Sequence, residues 1–133
     1  MNIAESFANY LASTLDLTLG TDLFIGNAPS SNKAVDSVWW LSASGGDKEN
    51  TLPTGGSMKS YRLDISYRNR DYKAVYNALH SLEEQLNCAD CVQLNGFEVI
   101  RIEATNFPID NDLDNEDRKI GLLQANVRVY KDC

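Results

Sequence analysis

Apolar residues recur at helical spacing in two parts of the chain. Over roughly the first 15 residues, Ile3, Phe7 and Leu11 share one side of a helical wheel, which predicts an amphipathic helix. A second stripe predicts another helix, whose first turn is capped by Asn69 or Asp71 because their side-chain oxygens accept from free N–H groups. This second stripe consists of Tyr72, Val75, Tyr76, Leu79, Leu82 and Leu86.

Alternation of apolar and polar positions predicts β-strands elsewhere. In "SYRLDISYRNR", residues 60–70, the odd positions from Tyr61 to Tyr67 are apolar and the even positions are polar, as in a strand with one buried face. Further strands are predicted at residues 21–29, 34–43, 97–107 and 120–130. Residues 42–58 contain four glycines and one proline, and we expect them to form a long functional or disordered loop.

The order of these elements predicts the fold class. It runs helix, two strands, long loop, strand, helix and two strands. Two helices packed on one face of a mixed, mostly antiparallel sheet bury both apolar stripes. We therefore expect an α/β fold of the α+β type, in which the 133 residues form a single domain, 1–133.

Composition and charge narrow the functional classes. The chain is 43% hydrophobic and carries a net charge of −7, so its field repels nucleic acid and anionic membranes. Its first residues lack the basic start and apolar run of a signal peptide. No segment approaches the roughly 20 apolar residues that span a bilayer. These features predict a protein made in a cytoplasm, without a membrane partner.

The stretch "PIDNDLDNEDRKIG" raises the question of a calcium site. Asp110, Asp112 and Asp114 would fill the first, third and fifth positions of a calcium loop. Asn115 stands where that loop needs glycine, and Gly121 stands where it needs a bidentate glutamate. Because like charges repel one another and stay in water, we expect a solvated connection between two strands.

The cysteines and the single histidine give no defined chemistry. Cys88 and Cys91 form a C-x-x-C without a second pair, and Cys133 is remote in sequence. The motif follows a helix C-terminus, whereas a redox pair stands at an N-terminus. His80 has no accompanying nucleophile motif such as G-x-S-x-G. We therefore predict no enzyme and assign no catalytic, cofactor-binding or metal-binding residue; a small metal-binding module using the acidic loop 110–117 or Cys88 and Cys91 is the alternative from another class.

Interface anchors are a further possibility. Trp39 and Trp40 are adjacent in a predicted strand, so they point to opposite faces and only one joins a one-sided core. The other is either covered by the long loop or exposed, and an exposed tryptophan is a common interface anchor. Arg68 and Arg70 flank a strand-to-helix junction, and are either interface residues or plain surface.

Four segments in this order resemble the small tail terminator proteins of long-tailed bacteriophages, some of which are described as minor capsid proteins. The segments are "DLFIGNAPSS", "SYRLDISYRNRDYKAVYNALHSLEEQL", "NGFEVIRIEATNFPID" and "DRKIGLLQANVRVY". In that family a strand passes through a charged junction, here Arg68, Asp71 and Tyr72, into an amphipathic helix. A later strand ends near a proline, here Pro108, and a polar connection leads to the last strand. The resemblance covers roughly residues 1–130.

The resemblance implies an assembly role and no cofactor. Such proteins form rings, expected to be hexamers, that cap the last ring of the tail tube, stop its polymerisation and offer their other face to the head connector. The implied partners are further copies of the chain, the tail tube protein and the head-completion or connector protein, with DNA passing through the lumen without specific binding. The implied location is the tail or neck of the virion, after assembly in the host cytoplasm. A head-completion or neck connector protein is the alternative within this class.

Within such a ring, the expected contact residues fall into two groups. Trp39 or Trp40 suits a subunit contact, and Arg68 and Arg70 are candidates for a subunit or partner interface. The acidic connection would face a partner ring or the DNA path, and its expected contact residues are Asp112, Asp114, Glu116 and Asp117.

Overall fold

The structure, a computed structural model, describes residues 3–20, 22–26, 37–51, 57–87, 94, 98–111 and 118–131. Within these residues two helices and six strands follow one another. They are α1 (Ile3–Leu15), β1 (Leu23–Ile25), β2 (Val38–Thr51), β3 (Ser57–Asn69), α2 (Tyr72–Leu86), β4 (Glu98–Asn106), β5 (Asp110–Asn111) and β6 (Lys119–Lys131).

The strands form one mixed sheet in the order β1-β2-β3-β6-β4, with the short β5 also paired to β6. All pairings are antiparallel except that of β1 with β2, where Leu23 lies opposite Trp39. The last strand in sequence therefore occupies the interior of the sheet, between β3 and β4. The predicted mixed, mostly antiparallel α+β fold is confirmed.

Both helices pack on one face of this sheet and bury its apolar side chains. Leu63 and Ile65 of β3 face the helices, and α2 contributes Val75, Leu79, Leu82 and Leu86. The inward residues of β6 are fully buried, as the alternation predicted: Leu123, Ala125, Val127 and Val129. The helix α2 lies so close to β6 that a Cβ built on Gly121 would overlap Leu79 and lie 2.7 Å from Val75 Cγ1.

The predicted loop at residues 42–58 is wrong for most of its length. Residues 42–51 continue β2, and Ser57 and Met58 begin β3; the two strands pair from Val38 opposite Arg68 to Thr51 opposite Ser57. Residues 52–56 lie outside the described residues. The register shifts between Gly45 and Asp47 and between Lys48 and Asn50, so bulges accommodate extra residues in β2. Backbone pairing forms this ribbon without the apolar alternation that revealed the other strands.

Candidate assembly surfaces

A relay of side-chain hydrogen bonds fixes the turn from β3 into α2. The Nδ2 of Asn69 donates to the Tyr67 hydroxyl at 2.9 Å, and its Oδ1 accepts from the Asp71 N–H at 3.0 Å. Asp71 in turn is the N-cap of α2, because its Oδ1 accepts from the Lys73 N–H at 3.0 Å. The relay sets the position of the first turn of α2 and hence of Tyr72.

Tyr72 and Tyr76 do not join the core, contrary to the prediction that placed them in the apolar stripe of α2. Their side chains are 55% and 53% exposed. The buried residues of α2 are Val75, Leu79, Leu82 and Leu86, at intervals of four, three and four. They form a narrower stripe than the predicted one, and the two tyrosines lie beside it. Tyr76 stacks on His80 with ring centroids 5.7 Å apart, so this flank presents aromatic surface to solvent.

A groove separates these tyrosines from the segment that follows β4. It has a volume of about 140 Å³ and is lined by Tyr72, Tyr76, Leu79, Asn106, Phe107, Pro108 and Ile109. Phe107 is 41% exposed on its rim. In the wall, the Oδ1 of Asn106 is buried and accepts no hydrogen bond from the chain as far as the structure describes it. The groove is thus an apolar depression with one unsatisfied acceptor.

The edge of β4 beside this groove is closed to strand pairing by side chains of α2 and its C-cap. The Asn87 side chain makes hydrogen bonds with both backbone groups of Ala104. Its Oδ1 accepts from the Ala104 N–H at 2.9 Å, and its Nδ2 donates to the Ala104 carbonyl at 3.3 Å. Two positions further, the Asn106 N–H donates to Glu83 Oε2 at 3.0 Å. Because these edge groups are satisfied, a partner at this side meets side chains rather than an open strand.

The opposite edge of the sheet carries a second apolar surface. Leu19 and Ile25 are 48% and 43% exposed, and both belong to the segment that forms the β1 edge. The outward groups of Leu23 are occupied, since its N–H donates to the Thr18 carbonyl at 3.3 Å and its carbonyl accepts from Gly20 N–H at 2.8 Å. Gly26, which follows Ile25, has a φ of 103°, a conformation that favours glycine.

The adjacent tryptophans point to opposite faces, as predicted. Trp39 is buried in the core and stacks on Tyr67 with ring centroids 4.3 Å apart and planes inclined by 21°. Trp40 is half-buried on the other face, in a row where it lies opposite Phe24 and Ser66. Of the two tryptophans, only Trp40 therefore has exposed side-chain surface with which to contact a partner.

The two arginines that were predicted as interface candidates also differ in burial. Arg70 is exposed, whereas Arg68 is buried on the face of β3 that points away from the helices. Arg118, just before β6, is also fully buried, which the sequence did not indicate. Arg68 and Arg118 each have at least one interaction partner, as buried guanidinium groups require. Arg68 is thus better placed to support the sheet than to contact another protein.

The predicted acidic contact residues lie outside the described residues; they are Asp112, Asp114, Glu116 and Asp117. Cys88, Cys91 and Cys133 also lie outside them. The beginning of the connection, Asp110–Asn111, forms β5 against Lys119 and Ile120, a short strand that the sequence did not predict. Among the described residues no group of three or more His, Cys, Asp or Glu is placed to hold a metal ion.

Neither α1 nor α2 has the length and apolar character of a membrane-crossing helix. The groove beside α2 and the pair Leu19 and Ile25 are apolar surfaces at opposite edges of one sheet, and exposed apolar patches are candidate sites of contact with other proteins. A family model described as "Bacteriophage tail terminator protein" matches residues 10–131. The chain belongs to the bacteriophage tail terminator family, and so to the structural components of the virion tail. A search of curated proteins finds no significant match.

Sequence reasoning found the strand-to-helix junction but missed the groove. The residues that line it come from α2 and from the end of β4, about 30 positions away in sequence, and no local pattern links them. A weak signal exists in retrospect: Tyr72 and Tyr76 carry polar hydroxyl groups, which suit a boundary position better than a core.

Proposed function

We propose that the chain, as a single domain, forms a closed ring that caps the tail tube, ends its polymerisation and offers its other face to the head. The family match over residues 10–131 carries this proposal. The coarser assignment to a structural tail protein follows from the family itself; the ring, the tube contact and the head contact are our inference.

The distribution of apolar surface supports a ring. A closed ring of identical subunits needs two different, mutually complementary surfaces on each subunit. The chain offers the groove beside α2 at one edge of the sheet, and Leu19 with Ile25 at the other. At about 4.8 Å per strand step, four steps separate the edges by about 19 Å, so one subunit cannot bring its own two surfaces together.

Charge provides the second part of the proposal. A net charge of −7 per subunit suits a ring through which DNA slides without adhering, because acidic side chains repel phosphates. We assign the axial contacts with tube or head to Trp40, Arg70 and the acidic residues between 112 and 117. Trp39 and Arg68, both buried, support those contacts from within the domain.

The mass in solution tests the ring. We expect the purified chain to form a closed species of about six subunits at high concentration or with tail tube protein present. Tubes polymerised with the chain present should be capped and shorter than tubes grown without it, by electron microscopy. A chain that stays monomeric and leaves tube length unchanged would refute the proposed function. A ring that binds only head-connector protein would instead identify a neck protein.

Charge reversal tests the acidic connection. We expect Asp112→Lys with Asp114→Lys to reduce capping of tubes by about tenfold or more. The melting temperature should stay within a few degrees, because the sequence predicts a solvated connection and charges in such a connection contribute little to stability. Asp112→Asn with Asp114→Asn, which removes charge without reversing it, serves as the graded control. Normal capping by the reversed variant would show that the connection is passive.

A further inference from the structure

We infer that neighbouring subunits join head to tail, with the β1 edge of one copy seated in the α2 groove of the next and Ile25 as the inserted side chain. The inference rests on the proposed ring and names the two surfaces that close it. The groove surface consists of Tyr72, Tyr76, Asn106, Phe107 and Ile109, and the edge surface consists of Asp16, Leu19, Asp22 and Ile25.

The groove has the size and chemistry for one aliphatic side chain. A dry apolar cavity of about 150 Å³ holds a benzene ring, and the groove has a volume of about 140 Å³. Tyr72 and Tyr76 stand at one wall and Phe107 at the other, all substantially exposed. Burial of these rings against a partner would remove a contiguous aromatic surface from water, which is the usual role of tyrosine anchors.

Ile25 is the residue of the edge surface best suited to enter the groove. It is the last residue of β1 and is exposed. The Gly26 N–H donates inward to the Leu41 carbonyl at 2.7 Å, so the alternation of a strand directs the N–H of Ile25 outward. Ile25 thus presents an apolar side chain together with an outward donor, and the groove presents an apolar depression together with the buried acceptor Asn106 Oδ1.

The charges beside the two surfaces are complementary. Lys73 is exposed near the groove, in the first turn of α2. The neighbouring carboxylate of Asp71 is engaged as the helix cap. The edge surface has Asp16, which is exposed, and Asp22, which is half-buried. Lys73 therefore meets carboxylates of opposite charge across the contact.

The same charges oppose the alternative in which each surface meets its own copy. Groove against groove would bring Lys73 toward the Lys73 of the neighbour, and edge against edge would bring aspartates together. Like charges across an interface are costly. A contact between two different surfaces propagates around a ring, whereas a self-complementary contact stops at a dimer, so this charge pattern matches the closed assembly proposed above.

Two full-length variants, each defective on one surface, test the inference. Tyr76→Glu places a carboxylate in the groove surface, opposite the acidic edge; Ile25→Glu places one on the side chain that enters the groove. Each variant alone should lose ring formation, with association weakened about tenfold or more. Asn77→Glu on the exposed side of α2 and Ser13→Glu on the exposed side of α1 add the same charge elsewhere and should assemble like the unmodified chain.

Mixing the two variants gives the decisive result. The intact edge of Tyr76→Glu fits the intact groove of Ile25→Glu, so an equimolar mixture should form a one-to-one dimer by native mass spectrometry. This dimer should not grow further. Its unpaired groove surface belongs to Tyr76→Glu and its unpaired edge surface to Ile25→Glu, so each carries the introduced glutamate. Folding is checked by melting temperature, and Tyr76→Ser or Ile25→Ser replaces a variant that does not fold.

The outcomes separate this inference from the proposed function. Rings of normal mass from both glutamate variants would overturn the inference while leaving the ring itself in place. Variants that each form homodimers, with no gain on mixing, would show a self-complementary contact and would also overturn it. An unmodified chain that never assembles, even with tube protein, would instead remove the proposed function.

Discussion

Gly121→Ala is the most informative single perturbation of the fold. The added Cβ would overlap Leu79 and come within 2.7 Å of Val75 Cγ1, where carbon atoms pack best at about 3.5–4.0 Å. Both opposing side chains are buried on the core side of α2, so neither can move into solvent. Overpacking of this kind costs about 1–3 kcal/mol, and we expect Gly121→Ala to lower the free energy of unfolding by that amount.

Urea unfolding at low protein concentration, followed by tryptophan fluorescence, measures the effect because the Trp39–Tyr67 stack is lost on unfolding. The double variant with Leu79→Ala tests the cause. Leu79→Ala alone costs about 2–5 kcal/mol, but it removes the nearest atoms that the new Cβ would strike and leaves only the contact with Val75 Cγ1. In that background Gly121→Ala should cost clearly less than in the unmodified chain, with a coupling energy of about 0.5–2 kcal/mol.

The matched control is Asn126→Ala, on the exposed face of the same strand, which should change stability by less than about 0.5 kcal/mol. If Gly121→Ala were as mild as this control, the close approach of α2 to β6 would be refuted. If its cost were the same with and without the Leu79 side chain, the contact with Leu79 would not be the cause of the loss.

The other predictions concern the two ends of α2. Asp71→Ala should lower the free energy of unfolding by about 1 kcal/mol because the Lys73 N–H loses its acceptor, and Asp71→Ser should recover most of this loss; urea midpoints measure both. A loss as large for serine as for alanine would contradict a capping role. Asn87→Ala should cost about 1–3 kcal/mol and speed hydrogen exchange at the Ala104 amide, since the edge of β4 loses both of its bonds to Asn87. Asn87→Asp, which keeps the acceptor, should retain slower exchange there, and equal exchange in both variants would argue against the edge-closing role.

The helix α2 was predictable from the sequence. The predicted stripe from Tyr72 to Leu86 spans the observed helix, and Asp71, one of the two predicted caps, is the N-cap in the structure. Capping and periodicity depend on short stretches of chain, which is why a sequence reveals them. The buried faces of β3 and β6 were equally predictable, since alternation records directly which side chains meet the core.

Features set by distant pairing were not predictable in the same way. Alternation records burial and not backbone pairing. The pattern therefore predicts a loop for the polar half of β2, although this half pairs with β3 as far as Thr51. The groove depends on where β4 ends relative to α2, and the parallel pairing of β1 with β2 depends on a connection that no local signal describes. The burial of Arg118 was not predictable, because an arginine beside an acidic stretch is typical of a solvated surface.

The interior position of β6 has a consequence for how the chain matures in the cell. About 50 positions separate the end of β3 from the start of β6, which corresponds to roughly 3–10 s of translation. Until β6 emerges from the ribosome, β3 and β4 have no common neighbour, and Gly121 is not there to seat α2. The groove beside α2 therefore forms only when synthesis of the strands is finished. Nascent chains, however crowded on a polysome, lack the surface needed to join one another prematurely.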